Sequence, residues 1–146
     1  IIKLLQYPED SAGGLMINNI VCFGSGTLVE TAREKLKKHA RDLDYILLIF
    51  VIESMEKNNL AGTVSIRTLL DANGGDRLKD VMDPYVATLD PFEPASGAAF
   101  KLIGNQVAAM PVTDTEGGLL GTVTIDAAIA ETVSTGTGLE RLKVFS

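Results

Sequence analysis

The chain has 146 residues, a net charge of −6 and an apolar content of 46%. This length fits one ordinary domain or two small intertwined ones, and the apolar content is typical of a packed globular core. The acidic charge argues against a nucleic-acid partner, and a single cysteine, Cys22, excludes an internal disulfide and fits a reducing compartment. The longest apolar run, at 45–52, is too short to span a bilayer, which needs about 20 residues.

The first half of the sequence predicts the order strand, helix, strand, strand, helix. Thr27 and Glu30 have the spacing of a capping box at a helix start. The continuously apolar "DYILLIFVIES" predicts a strand that is buried on both faces. The predicted elements are a strand at 20–23, a helix from Thr27, strands at 44–54 and 60–66, and a helix at 67–72.

The second half predicts the same order again. Asp90, Pro91 and Glu93 match the cap, first turn and third position of a helix. The predicted elements are a strand at 85–89, a helix from Pro91 to about 103, strands at 107–114 and 119–125, and a helix at 126–133.

One phrase is written twice, "GTVSIRTLL" from Gly62 and "GTVTIDAAI" from Gly121, 59 positions later. A unit of about 60 residues buries little core alone, so two such units must pack together. The sequence therefore predicts an α/β (α+β) fold of two β-α-β-β-α repeats packed sheet to sheet. The predicted boundaries are a connector at 1–15, repeats at 16–75 and 76–134, and a second connector at 135–146.

The doubled pattern resembles tandem CBS (cystathionine-β-synthase) domains over nearly the whole chain. The stretches "LLQYPEDSAGGLM", "GTVSIRTLL" and "EGGLLGTVTID" resemble the CBS pair of MgtE-type magnesium transporters. The resemblance implies a non-enzymatic regulatory region on the cytoplasmic side of the bacterial inner membrane. It also implies a homodimer that senses Mg²⁺ and controls a membrane pore domain of the same chain. A stand-alone regulatory protein that binds adenine nucleotides is the alternative.

The chain opens without an initiator Met, so we expect a fragment of a longer protein. Apolar positions on the two final helices of the repeats are expected to form the dimer contact. These positions are Leu69, Leu70, Ala128 and Ile129.

Carboxylates are the expected magnesium ligands, because Mg²⁺ prefers one or two carboxylates together with retained water. The candidates are Glu9, Asp10, Asp126 and Glu131. The resemblance implies further acidic residues in the second repeat and the connector after it, but Gln106 stands at one such position, and Ser, Thr and Gly fill the connector. We therefore expect Mg²⁺ alone to stabilise the chain weakly at most.

Adenosine-binding CBS domains carry the pattern G-h-x-T/S-x-x-D, in which the hydroxyl faces phosphate and the Asp binds ribose. The first repeat has Thr68 in the Asp place, and the second has Ala127 there. The first repeat is the better candidate, because Thr68 can still hydrogen-bond a hydroxyl. In the alternative interpretation, these Ser and Thr side chains only satisfy backbone groups of the turn. The candidate residues are Gly62, Ser65, Arg67, Thr68, Thr124 and Asp126.

Overall fold

The computed structural model describes residues 7–18, 20–39 and 48–134. The chain forms two compact units, and each unit draws on both halves of the sequence. The Gly62 unit comprises residues 19–86 and 115–119, and the Gly121 unit comprises 1–18, 87–114 and 120–146. The elements are α1 (Ala12–Leu15), β1 (Val21–Gly24), α2 (Val29–His39), β2 (Ile49–Ile52), β3 (Leu60–Val64), α3 (Ile66–Asp71), α4 (Leu78–Val81), α5 (Ala95–Gly104), β4 (Ala109–Thr113), β5 (Leu119–Thr124) and α6 (Ile125–Ser134).

The Gly62 unit contains a three-stranded sheet in the order β1-β2-β3. β1 runs parallel to β2, and β2 runs antiparallel to β3 with Ile49 opposite Val64. Every residue of β2 is buried, because Ile49 and Val51 face one apolar cluster while Phe50 and Ile52 face another. The predicted strand with two buried faces is confirmed for its described part, while residues 44–47 lie outside the described residues.

The Gly121 unit contains the two-stranded sheet β4-β5 and the helices α1, α5 and α6. Its core is one cluster that joins the sheet to these helices. The buried residues of this cluster are Ala12, Leu89, Ala98, Ala99, Leu102, Met110, Val112, Val123 and Ala128. Val64 and Val123, at matching places in the doubled phrase, are both almost fully buried.

The strand predicted at 85–89 does not form; only Leu89 makes an isolated parallel bridge, to Val112. Leu89 N–H donates to the Pro111 carbonyl, and Thr113 N–H donates to the Leu89 carbonyl. The next donor along this edge of β4 would be the backbone nitrogen of residue 111. Proline has no N–H, so the ladder cannot continue towards Ala87.

The helix predicted to start at Pro91 begins instead at Ala95. The Asp90 carboxylate accepts a hydrogen bond from Phe92 N–H, and the Glu93 carboxylate accepts one from Asp90 N–H. These bonds close a turn that precedes the helix rather than its first turn. In the Gly62 unit α2 likewise begins at Val29, two residues after the predicted cap Thr27.

Two four-residue helices, α1 and α4, were not predicted. Each is followed by a methionine whose N–H donates back into the helix, Met16 to Ala12 and Met82 to Leu78. The next residue of each segment then pairs with a threonine, Ile17 with Thr122 and Asp83 with Thr63. The segment that opens each sequence repeat therefore pairs with the last strand of the other repeat. For this reason the boundaries of the compact units do not coincide with those of the sequence repeats.

None of the helices within the described ranges is long and apolar enough to cross a membrane.

Candidate ligand site at the strand–helix junctions

The junction between β3 and α3 presents three polar side chains. Ser65 is the N-cap of α3, and its hydroxyl oxygen accepts a hydrogen bond from Thr68 N–H at 3.1 Å. The Ser65 hydroxyl also donates to the Thr68 hydroxyl oxygen at 3.0 Å. Ser65 and Arg67 are exposed and Thr68 is half-buried. The Thr68 hydroxyl hydrogen and the Arg67 guanidinium are therefore available to a ligand.

Gly62 has a packing role beneath this junction. A Cβ atom at Gly62 would lie 2.6 Å from the Asp83 carbonyl oxygen and 2.8 Å from Met82 Sδ. The segment that follows α4 therefore approaches β3 closely only because residue 62 has no side chain.

The junction between β5 and α6 has the same backbone plan with fewer exposed polar groups. Thr124 is buried, and its hydroxyl oxygen accepts a hydrogen bond from Ala127 N–H at 3.2 Å. Asp126 is exposed, and Ala127 offers no polar side chain. A Cβ atom at Gly121 would lie 2.7 Å from the Ile17 carbonyl oxygen, so this glycine has the same packing role as Gly62.

The four carboxylates proposed from sequence for Mg²⁺ all belong to the Gly121 unit. Glu9, Asp10 and Asp126 are exposed, while Glu131 is half-buried and accepts a hydrogen bond from the Ser134 hydroxyl at 3.4 Å. In the part of the chain that the structure describes, no group of three or more His, Cys, Asp or Glu residues is placed to hold a metal ion.

The apolar positions expected at a dimer contact have two different environments. Leu69 and Ala128 are core residues, so the expectation that they face a partner is wrong. Leu70 and Ile129 are exposed. Successive positions on an α-helix are about 100° apart, so adjacent residues cannot share one face.

The sequence patterns do not point to Arg33, which lies on α2. Its Nε donates to the Leu69 carbonyl at 2.7 Å, and its Nη2 donates to the Leu70 carbonyl at 3.3 Å and to the Ala72 carbonyl. The residue lies in the basic stretch "REKLKKHAR", which is typical of a solvated helix face. No local signal distinguishes Arg33 there, because its partners lie more than thirty positions away in sequence.

Two repeats with the same strand–hydroxyl–helix junction define the class as a tandem α/β module with one potential ligand junction per repeat. The chain belongs to the CBS domain family, whose model matches residues 12–75 and 78–133. The predicted CBS-pair fold is thereby confirmed.

Three relatives extend this assignment. The magnesium transporter MgtE of Thermus thermophilus is 34% identical over 84% of this chain and 27% of its own length. The crystal structure of the cytosolic domain of the Mg²⁺ channel MgtE in complex with ATP covers 88% of this chain, with 31% identity and a TM-score of 0.81; the match spans 51% of that chain. The soluble part of a magnesium transporter covers 94%, with 27% identity and a TM-score of 0.84, over 53% of that chain. The predicted resemblance to the MgtE-type CBS pair is confirmed, and this chain spans about a quarter of the length of the Thermus transporter.

Proposed function

We propose that the chain is the regulatory, ligand-sensing CBS pair of an MgtE-like magnesium transporter and that its ligand is an adenine nucleotide. In this proposal it is non-catalytic, lies on the cytoplasmic side of the membrane and controls a pore domain elsewhere in the same protein. The observation that carries the proposal is the group of exposed Ser65 and Arg67 with half-buried Thr68, together with the similarity to an MgtE cytosolic domain in complex with ATP.

The proposed nucleotide site is the junction between β3 and α3. Arg67 is always charged and can donate two hydrogen bonds to one phosphate group. The Ser65 hydroxyl hydrogen can turn from Thr68 to a phosphate oxygen while Ser65 Oγ still accepts the Thr68 N–H bond. Thr68 then binds a ribose hydroxyl without the charge assistance that an Asp would give. Thr124 and Asp126 lie at the corresponding junction in the other unit. The Thr124 hydroxyl is buried there, so this junction offers a nucleotide fewer accessible polar groups.

Isothermal titration of the 146-residue chain with ATP and with AMP tests this proposal. We expect both nucleotides to bind, and we expect Arg67→Ala to weaken ATP binding about tenfold, since a charge-assisted contact is lost. Asp126→Ala, at the same position in the other repeat, reports whether the second junction binds, and Lys35→Ala, at an exposed charge on α2, is the control that should leave the affinity unchanged. Absence of binding at millimolar nucleotide would overturn the proposal, and a loss in Asp126→Ala alone would move the site to the Gly121 unit.

For Mg²⁺ we propose weak stabilisation through the carboxylates Glu9, Asp10, Asp126 and Glu131. A ligand at 100 times its Kd stabilises a protein by about 2.7 kcal/mol. Thermal unfolding with about 10 mM Mg²⁺ should give a much smaller shift than saturating nucleotide does. A large rise that is specific to Mg²⁺ and that Glu131→Gln removes would contradict this.

We also propose a homodimer that forms through the exposed apolar face of α5 and α6. Phe100 is 81% exposed and Ile103 is 58% exposed, and Ile129 and Val133 are exposed on α6, which packs against α5. Apolar patches of this kind mark interfaces, and an uncharged patch can meet its own copy across a two-fold axis.

Sedimentation at micromolar concentration should give twice the 15.5 kDa mass. Phe100→Glu should give the monomer, because it places a charge at the centre of the contact. Met55→Glu, at an equally exposed residue of the Gly62 unit, is the control and should leave the dimer intact. A monomeric parent chain would sink the assembly proposal and leave the nucleotide proposal standing.

A further inference from the structure

We infer that Arg33 is a positioning residue for the junction of the Gly62 unit and so sets its nucleotide affinity; this rests on the proposed function. The side-chain hydrogen bonds of Arg33 go to backbone carbonyls of Leu69, Leu70 and Ala72 and not to the ligand candidates. Arg33 binds the opposite end of α3, and it acts on the junction through that helix.

α3 needs an external tie because it is only six residues long. Helices shorter than about 12 residues are marginal by themselves, and the last carbonyls of any helix have no partner within it. Arg33 donates to the carbonyls of Leu69 and Leu70 within the helix and of Ala72 just after it. Its positive charge also lies at the negative end of the helix dipole. One side chain therefore closes the carboxyl end of α3.

The segment after α3 is tied to the same helix as Arg33. Glu30 N–H donates to the Gly74 carbonyl at 3.1 Å, and Val29 N–H donates to the Asp76 carbonyl at 2.8 Å. A Cβ atom at Gly74 would lie 3.1 Å from Glu30 Cβ, so the approach is close. α2 therefore holds both the end of α3 and the turn that follows it.

The Gly121 unit has no arginine at the position that corresponds to Arg33. The backbone N–H of Val29 starts α2 with a bond to the Asp76 carbonyl, and the N–H of Ala95 starts α5 with the same kind of bond to the Asp10 carbonyl. With the two helices aligned by these bonds, Ala99 occupies the place of Arg33.

α6 continues for ten residues, and the Thr132 hydroxyl donates to the Ala128 carbonyl at 2.8 Å. Ala128 corresponds to Leu69 in the doubled phrase. A longer helix thus supports itself where α3 depends on Arg33. The helix that Arg33 ties at its carboxyl end is the one whose amino end carries Ser65, Arg67 and Thr68.

The test compares Arg33→Ala with Arg33→Lys, and uses Lys35→Ala, an exposed charge on the same helix, as the control. We expect Arg33→Ala to weaken ATP and AMP by the same factor, about tenfold, because a displaced helix misplaces the whole site. Arg67→Ala should instead weaken ATP more than AMP, because it contacts phosphate directly. Arg33→Lys keeps the charge without the planar fork and should fall between the parent chain and Arg33→Ala.

Hydrogen exchange provides a second readout that needs no ligand. The amides of Leu69 and Ala72, which bond within α3, should exchange faster in Arg33→Ala, while the amide of Phe50 in β2 keeps its protection. Unchanged nucleotide affinity in folded Arg33→Ala, or a loss that grows with the number of phosphates, overturns the positioning role. If the parent chain binds neither nucleotide, the proposed function fails. Faster exchange of the α3 amides in Arg33→Ala would then still support the stabilisation of α3 by Arg33, and unchanged exchange would overturn it.

Discussion

α2 in the Gly62 unit and α5 in the Gly121 unit bury corresponding positions and expose different chemistry. Val29 and Ala32 of α2 are buried, as are Ala95 and Ala98, 66 positions later on α5. Val29 and Ala32 belong to the core cluster that contains Ile49, and Ala98 belongs to the cluster that contains Met110. The packing face of the helix is therefore shared by the two repeats.

On the exposed face, Glu34 and Lys37 of α2 correspond to Phe100 and Ile103 of α5. The same comparison holds at the junctions, where the Gly62 unit exposes Ser65 and the Gly121 unit buries Thr124. The paired core positions are apolar in both repeats, whereas the paired exposed positions differ in chemistry. The Gly62 unit exposes Ser65 and Arg67, and the Gly121 unit exposes Phe100 and Ile103, which belong to the dimer contact that we propose.

The strongest test of the shared core is a charge at Val64 or Val123. Each side chain is almost fully buried, so Val64→Asp and Val123→Asp should each lower the free energy of unfolding by several kcal/mol and leave little folded protein. Circular dichroism melting measures both. Tyr85→Asp, at an exposed residue, is the control and should melt like the parent chain. A normal melt for one of the buried variants would mean that the two valines are not equivalent.

Leu78 and Ala12 occupy corresponding positions in α4 and α1, and both are fully buried. Leu78→Ala removes a large core side chain and should lower the free energy of unfolding by about 2–5 kcal/mol. Ala12→Leu adds atoms to a filled site and should cost about 1–3 kcal/mol. Urea unfolding measures both. Stabilisation by Ala12→Leu would show spare volume in the Gly121 unit and break the comparison.

The paired glycines should respond alike to a methyl group. Gly62→Ala and Gly121→Ala would each place Cβ within 2.7 Å of a backbone carbonyl oxygen. Both should lower the free energy of unfolding by about 1–3 kcal/mol, since a backbone segment must move. Gly75→Ala has open space around its Cβ and is the matched control. Equal midpoints for all three variants in urea would refute the close approach.

Local sequence patterns predicted the features that depend on local chemistry. The apolar run around Phe50 predicted a strand with two buried faces, and the doubled phrase predicted matching burial of Val64 and Val123. Features that depend on a distant partner were missed. Pro111 prevents a strand at 85–89 only because that segment lies beside β4, and Arg33 acts on carbonyls that the sequence does not place near it.

For the candidate site too, the sequence predicted the local features and missed the contacts with distant residues. The pattern around Ser65 placed the polar group at a strand–helix junction, where the structure has it. The pattern also pointed to Gly62 as a ligand residue, and the structure adds that a backbone segment packs closely against it. The ligand roles of Gly62, Ser65, Arg67, Thr68, Thr124 and Asp126 stay predictions, as do those of the carboxylates.

The smallest expected effect concerns Cys22 on β1 and its counterpart Thr88, 66 positions later. Cys22 is half-buried beside the Phe50 cluster, whereas Thr88 is exposed in the segment that forms no strand. Desolvation by burial raises the pKa of the Cys22 thiol above its ordinary value. The thiolate is the reactive form, so alkylation by iodoacetamide near pH 8 should be slower than for an exposed thiol.

The matched control is Thr88→Cys in a Cys22→Ser background, which presents an exposed thiol at the corresponding position. The alkylation rate of this exposed thiol should rise at a lower pH than the rate of Cys22 does. In denaturant the two thiols should react at the same rate. Because the pKa of the Cys22 thiol is higher in the folded chain than in the unfolded chain, the protonated thiol favours the folded state. This contribution to the free energy of unfolding is complete below the ordinary thiol pKa and is lost as the pH rises through the raised pKa. Equal alkylation rates for the two folded proteins would contradict the comparison. They would mean that β1 and the segment before Leu89, which forms no strand beside Pro111, shield their residues from the reagent to the same extent.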